Sequence, residues 1–395
     1  MAQVTQTGKQ DDVAGMMRQF REAPQAAAGY QRCFYTLWGR EEERLWETQP
    51  NEDLVDCIVE GTGRQDWRRL RPFDLLPEID PVTGGIAQEL LYVGEHLRVG
   101  CAHIVGAQPV FERAGDYDTI LFQFAGTARV QTSFGDYALY PGEALHIPAM
   151  VVHRTIGSLS CRRLEFYPRE LATPRLDPRA ALTETRFIVV PDGQPFVEEP
   201  LLDAAPPPDG KIREHLTHWD DRPGEDYLFV RTYEYLFGKA ETGRRPTKLR
   251  PFDYFTTPAT SSDQGPAAVR TALLWDNPSF RQRVYANPGR QPAPHRGYDE
   301  DEFWFQFSGV VMQETEHGLY PMPAGSTSMA EAGISHTSTS HPGADRLTTY
   351  TPKPLRMVVN PDAHLRETRW QVKEIVLRGL PEAQGSSGAG AGGRR

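Results

Sequence analysis

The chain has no run of five lysines or arginines, no cysteine pair at zinc-ribbon spacing and no long apolar stretch. Each absence removes a class of function. With a formal net charge of -10, the surface lacks the basic footprint that a phosphate backbone requires, which argues against a nucleic-acid partner. The four cysteines, Cys33, Cys57, Cys101 and Cys161, lie far apart; they give neither a disulfide framework nor a metal ribbon, and read as ordinary thiols of a reducing compartment. No window reaches the roughly 18 apolar residues of a membrane helix, and the polar start MAQVTQTGKQDDVAGMM is unlike a signal peptide. The expectation is a soluble, cytoplasmic protein. Helical periodicity is also scarce outside residues 11–47.

What the chain does have is β-branched and aromatic runs punctuated by 35 glycines and 33 prolines. ELLYVG, TILFQFAG, LHIPAMVVHRTI, YLFVRTYEYLFG and EFWFQFSGVVMQET are examples, and their pattern predicts a mainly β sandwich or barrel with a few peripheral helices. FQFAG at 122–126 returns as FQFSG at 305–309, an offset of 183 residues. The same offset, without gaps, pairs Gly135 with Gly318 and His153 with His336. A β-domain duplicated within one chain follows. The boundaries read as a flexible or helical segment 1–30, an N-terminal half 31–200, a Pro-rich connector 201–225, a C-terminal half 226–378 and a Gly/Ser tail 379–395.

The stretch PHRGYDEDEFWFQFSG (294–309) carries the chemistry. A mononuclear site of two histidines and one carboxylate needs three ligands on one face, and His295, Glu302 and His336 offer them. Residues seven apart on a regular strand face opposite ways, so His295 and Glu302 converge only if RGYDED breaks the pleat. Beyond that break, Glu302, Trp304 and Gln306 share one face and Phe303, Phe305 and Phe307 the other. A solvated acidic turn and a surface histidine are the competing readings, and His341 competes with His336 for the third ligand. At the offset of 183 the first copy has Glu112, Thr119 and His153. It lacks the ligand set unless Asp116 and Asp118 substitute, and reads as a structural half.

The spacing of His, Glu and Gly followed by a distal His resembles the two-motif signature of cupins. Within them, PAPHRGYDEDEFWFQFSG and PAGSTSMAEAGISH resemble the metal-binding half of homogentisate 1,2-dioxygenases, and SFGDYALYPGEALHIPAMVVHRTIG their degenerate N-terminal half. The resemblance implies a duplicated double-stranded β-helix, Fe(II) on His295, Glu302 and His336, and ring cleavage of a hydroxylated aromatic by dioxygen. It further implies association into trimers or larger rings. His341, Tyr298, Tyr320 and Arg296 are the candidates for proton and oxyanion roles, with Arg296 also placed to pair with a substrate carboxylate. The chain departs from the family where a proton-handling histidine precedes the distal ligand: Met329 and Ala330 stand there, and Pro292, Ala293 and Pro294 replace pocket tyrosines. Other metal-dependent cupin chemistries (isomerase, decarboxylase, non-ring-cleaving oxygenase) and a non-catalytic small-molecule binder are the alternatives.

Overall fold

A computed structural model describes residues 31–36, 43–48, 69–169, 181–182, 198–201, 211–217, 225–232, 244–255, 270–276, 280–286, 295–297, 300–315, 318–331, 334, 336–340, 344–352, 355–357 and 371–375. At 31–36, 43–48, 211–217, 225–232, 295–297 and 371–375 the description is of the backbone alone.

Runs whose alternation lets one face meet a core become strands. Eight form a first barrel: β1 (Leu97–Ala107), β2 (Phe111–Ala114), β3 (Thr119–Ala125), β4 (Ala128–Thr132), β5 (Gly135–Leu139), β6 (Ala144–Ile147), β7 (His153–Gly157) and β8 (Arg162–Pro168). They pair in the orders β1-β8-β3-β6 and β2-β7-β4-β5. A second set repeats this: β9 (Arg281–Ala286), β10 (His295–Gly297), β11 (Asp301–Ser308), β12 (Val310–Thr315), β13 (Gly318–Pro323), β14 (Thr327–Ala330), β15 (His336–Ser340) and β16 (Asp345–Thr351). Its orders are β9-β16-β11-β14 and β10-β15-β12-β13. First strand beside eighth, second beside seventh and third beside sixth is the order of a double-stranded β-helix. The chain contains it twice, as the repeat implied.

The register of 183 residues extends to single hydrogen bonds. Gln123 Nε2 donates to the Ala125 carbonyl and Gln306 Nε2 to that of Ser308, both at 2.6 Å. The Gly142 amide donates to Gln123 and the Gly325 amide to Gln306, both at 2.8 Å. Glu112 lies opposite His153 as His295 lies opposite His336.

The outward faces of β3 and β11 meet in one shared apolar core that includes Phe122, Phe303, Phe305 and Phe307, with Phe124 packed against it. Ring centroids lie 6.0 Å apart for Phe122 and Phe305, 5.3 Å for Phe124 and Phe305, and 5.8 Å for Phe122 and Phe307, all edge to face. The approach needs glycine on each side. Gly142 and Gly325 sit at φ +82° and +80°, and a Cβ at either would stand 3.2 Å from Phe307 or 3.0 Å from Phe124.

A second repeat, LRPFD at 70–74 and 249–253, runs at a different offset. Leu70 pairs with Thr327 in the second barrel, whereas Leu249 pairs with Ala144 in the first, at equivalent positions. Phe73 then stacks on Phe124, and Phe252 on Phe307, each at 4.9 Å. Each LRPFD therefore begins on one barrel and stacks on the other. Edge strands cross in the same way: Gln31–Thr36 lies parallel to β10 and Lys211–Thr217 parallel to β2. Segments that precede one barrel in sequence supply edges to the other, and Lys211–Thr217 falls within the stretch read as a connector.

Two short 3-10 turns, Pro72–Leu75 and Pro251–Asp253, are the helical elements among the described residues. The helical pattern at 11–47 is corrected where it overlaps them: Gln31–Thr36 and Glu43–Thr48 form an antiparallel hairpin. Pairing with β10 satisfies the backbone groups that a helix would have satisfied internally. Among the described residues no helix is long and apolar enough to cross a membrane.

Asp118 ties the segment 244–249 to the first barrel. Its fully buried carboxylate accepts from His146 Nε2 at 2.6 Å, from both Arg244 nitrogens at 3.1 and 2.8 Å, and from the Ala149 amide at 2.8 Å. Burial raises its pKa, but the His146 and Arg244 hydrogen bonds outweigh that and hold it below the ordinary carboxylate value. Since the folded pKa is depressed, the stabilisation is present above the unfolded value of about 3.9 and is lost as pH falls through the folded one. Asp118→Asn is expected to lower the Tm at pH 7, with the gap to the parent narrowing as the pH falls below the unfolded value of about 3.9; a gap independent of pH would refute the clamp. Phe305→Ala is expected to cost about 3–5 kcal/mol in denaturant unfolding, and a cycle with Phe122→Ala should show non-additivity, as contacting residues do.

Candidate metal centre

The alternation of β11 sends Phe303, Phe305 and Phe307 into the shared core and turns Glu302 and Trp304 into the second barrel's lumen. Glu302 is 7% exposed and Trp304 1%. Trp304 Nε1–H donates to Glu302 Oε1, which fixes the carboxylate's rotation and leaves Oε2 directed at His336. Glu302 Oε2 lies 3.3 Å from His336 Nε2.

His336, on β15, is buried beside Trp304, with ring centroids 4.7 Å apart. Its Nδ1 is 3.1 Å from the Ile334 carbonyl. A carbonyl accepts only, so Nδ1 carries a proton and Nε2 is the ring nitrogen turned to Glu302, free to act as a ligand atom when it is not itself protonated. A backbone carbonyl holding the far ring nitrogen is the arrangement common to metal-ligating histidines. His295, on β10, stands directly opposite His336 in the antiparallel register. Opposite positions share a sheet face, so the backbone brings the third candidate to the same side.

The remaining sequence candidates divide. Tyr320, on β13, pairs with Gln313 and packs beside Trp304, Val311 and Met322 in the lumen wall. Arg296 follows His295 directly, so its position falls on the opposite face of β10. Tyr298 and His341 lie outside the described residues. Among the described side chains no three His, Cys, Asp or Glu groups cluster at metal-holding distance; the described pair is Glu302 and His336.

Sequence reasoning missed two lumen tyrosines. Tyr350 lies opposite Glu302 on β16, and its hydroxyl is 2.6 Å from that of Tyr285. Burial pushes the Tyr350 pKa well above its ordinary value, and the Glu302 charge adds to the shift. The cross-strand register alone could have revealed Tyr350, but the β11–β16 pairing is not visible in a linear sequence.

The first barrel shows what the same frame does without the ligand set. His153 keeps the equivalent bond, Nδ1 to the Val151 carbonyl at 3.1 Å, and burial lowers its pKa. Thr119 stands in place of Glu302, Leu121 in place of Trp304, Leu145 in place of Ser328 and Ile147 in place of Ala330. Leu121, Leu145, Ile147 and Val130 fill the lumen as part of an apolar cluster. Asp118, which the sequence allowed as a substitute ligand, is instead consumed by His146, Arg244 and the Ala149 amide.

No protein-family model and no curated protein matches the chain. Among solved structures it is similar to a cupin 2 conserved-barrel protein from Leptotrichia buccalis, at 7% identity and a TM-score of 0.43, over 74% of this chain and 100% of that one. It is also similar to the oxalate decarboxylase of Bacillus subtilis described for its Mn(II) centres, at 11% identity and a TM-score of 0.42, over 80% of this chain and 88% of that one. A putative glyoxylate-induced protein from Pseudomonas aeruginosa matches at 9% identity and a TM-score of 0.40, over 72% and 84%. With similarity this remote, the architecture rests on the strand orders described above.

Metal analysis after anaerobic reconstitution with Fe(II) tests the assignment. His295→Ala and Glu302→Ala are each expected to lose bound metal while keeping a cooperative unfolding transition, whereas Glu112→Ala retains the parent's content. Undiminished metal in the Glu302 variant would overturn the ligand set.

Proposed function

We propose that the chain is a mononuclear non-heme Fe(II) dioxygenase that opens the ring of a hydroxylated aromatic, with the metal held by His295, Glu302 and His336. The observation that carries this reading is the convergence of two electron-pair donors, Glu302 Oε2 and His336 Nε2, at 3.3 Å inside a buried lumen. A buried carboxylate facing an imidazole lone pair is costly unless a cation or proton lies between them. His295 in register with His336 supplies the third donor position, so the set fits a two-histidine, one-carboxylate site. Fe(II), when bound, supplies the redox chemistry that dioxygen and a phenolic substrate require.

The protein's own residues do the rest. Trp304 fixes the orientation of Glu302 and the Ile334 carbonyl fixes the tautomer of His336. Trp304, Val311, Met322 and Ile334 exclude bulk water from the lumen. Burial keeps the Tyr350 hydroxyl protonated at neutral pH, and through its hydrogen bond with Tyr285 it can hold or donate a proton at the substrate oxygen. Tyr320 offers a second hydroxyl in the lumen wall; His341 and Tyr298 remain proposed for the same roles on their place in the motif.

The test is an oxygen electrode with iron-reconstituted protein and a panel of catechols, hydroquinones and dihydroxy aromatic acids. Substrate-dependent uptake, with both atoms of labelled dioxygen appearing in a ring-opened product, is expected. Iron bound at one per chain with no uptake would overturn the dioxygenase and favour a non-oxidative metal-dependent reaction. No bound metal and no uptake would favour a small-molecule binder.

A further inference from the structure

Arg163 and Arg346 occupy the same position in the two barrels, on β8 and β16. Both are buried, at 2% and 5% exposure. In the first barrel the charge is matched: Arg163 Nε and Nη2 each lie 2.7 Å from Glu165 Oε1, and Nη1 donates to Thr155 Oγ1 at 2.7 Å. The position of Glu165 is Thr348 in the second barrel. Arg346 therefore has no carboxylate at ion-pair distance among the described residues, and its Nε has no hydrogen-bond partner. What it has instead are two aromatic faces, Trp304 at 5.3 Å and Tyr285 at 5.2 Å from the guanidinium carbon to the ring centroid.

An unmatched buried cation is costly, and cation–π contact offsets only part of that cost. Arg346 lies opposite Gln306 in register, on the face of β16 that carries Thr348 and Tyr350. The ring it covers is the one that touches His336 and donates to Glu302. The barrel with the candidate ligands has thus lost the carboxylate that the other barrel supplies from its own chain.

We infer that Arg346 is the specificity residue of the second barrel, receiving a carboxylate carried by the bound molecule at the place where Glu165 serves Arg163. The inference rests on the proposal that this lumen is the substrate site, but not on the reaction performed there. A planar guanidinium stacked on aromatics presents its edge for bidentate pairing with a carboxylate. Arg346, not Arg296, holds the lumen position for that role.

Calorimetric titration of the full chain with benzoate and hexanoate, against benzamide and hexanamide as neutral counterparts, tests this. EDTA is present throughout, so that a carboxylate cannot be held by metal. The acids are expected to bind more tightly than the amides, with the preference falling roughly 10–100-fold in Arg346→Met. Thr348→Glu, which restores the first barrel's ion pair, is expected to fold and to lose acid binding. Equal binding of acids and amides, no acid binding in EDTA, or a preference that survives both substitutions would overturn the inference. Acid binding through Arg346 without oxygen uptake by the iron-loaded protein would sustain it and refute the dioxygenase alone.

Discussion

The structure depends on the aromatic contact between the two copies of FQF. Phe122 and Phe305 are equivalent residues that meet each other across the interface, flanked by Phe124 and Phe307. Because side chains alternate along a strand, committing these phenylalanines to the shared core commits their neighbours to the barrel interiors. A slip of one residue in β11 would exchange the faces, carrying Glu302 and Trp304 out of the lumen and the phenylalanines in. The lumen chemistry is positioned by the interface on the opposite side of the same strand.

Around that interface the halves are bound crosswise. The two LRPFD segments pair with one barrel and stack on the other, so each barrel takes one edge of its outer sheet from the segment that leads into the other barrel. The second barrel's lumen is edged by a strand from the chain's beginning, Gln31–Thr36, laid against the strand of His295. Unfolding one half would remove edges from the other, which couples the integrity of the lumen to both.

Given one frame, the two interiors have diverged in how they satisfy polarity. In the first, apolar residues fill the centre and each described buried charge of the Asp118 and Arg163 clusters has a partner. In the second, alanine and serine replace Ile147 and Leu145, a carboxylate replaces Thr119, and threonine replaces Glu165. The result is a lumen whose donors face one another and whose arginine lies on aromatic rings. Such a low-dielectric environment gives each group a large preference for an ion or ligand of the opposite charge. The conserved hydrogen bond from histidine Nδ1 to a backbone carbonyl occurs in both barrels, so it belongs to the frame, and the carboxylate distinguishes the second one.

The sequence by itself determined the mainly β character, the duplication at 183 residues and the face of β11 that carries Glu302, because period-two alternation and self-similarity are local or comparable along one string. It also named His295, Glu302 and His336 as candidates, the first two by their spacing along one motif and the third by the repeat register with His153. Only the tertiary structure decided which residues oppose them. Tyr350, Thr348 and Arg346 reach Glu302 and Trp304 through a strand pairing some forty residues away in sequence. The strands at 31–36 and 43–48 likewise follow from partners, not from propensity: parallel pairing with β10 offers the backbone hydrogen bonds that override the helical pattern. The crosswise placement of LRPFD was visible as a repeat but not as an exchange, because an offset reveals likeness and says nothing of which copy a segment will touch.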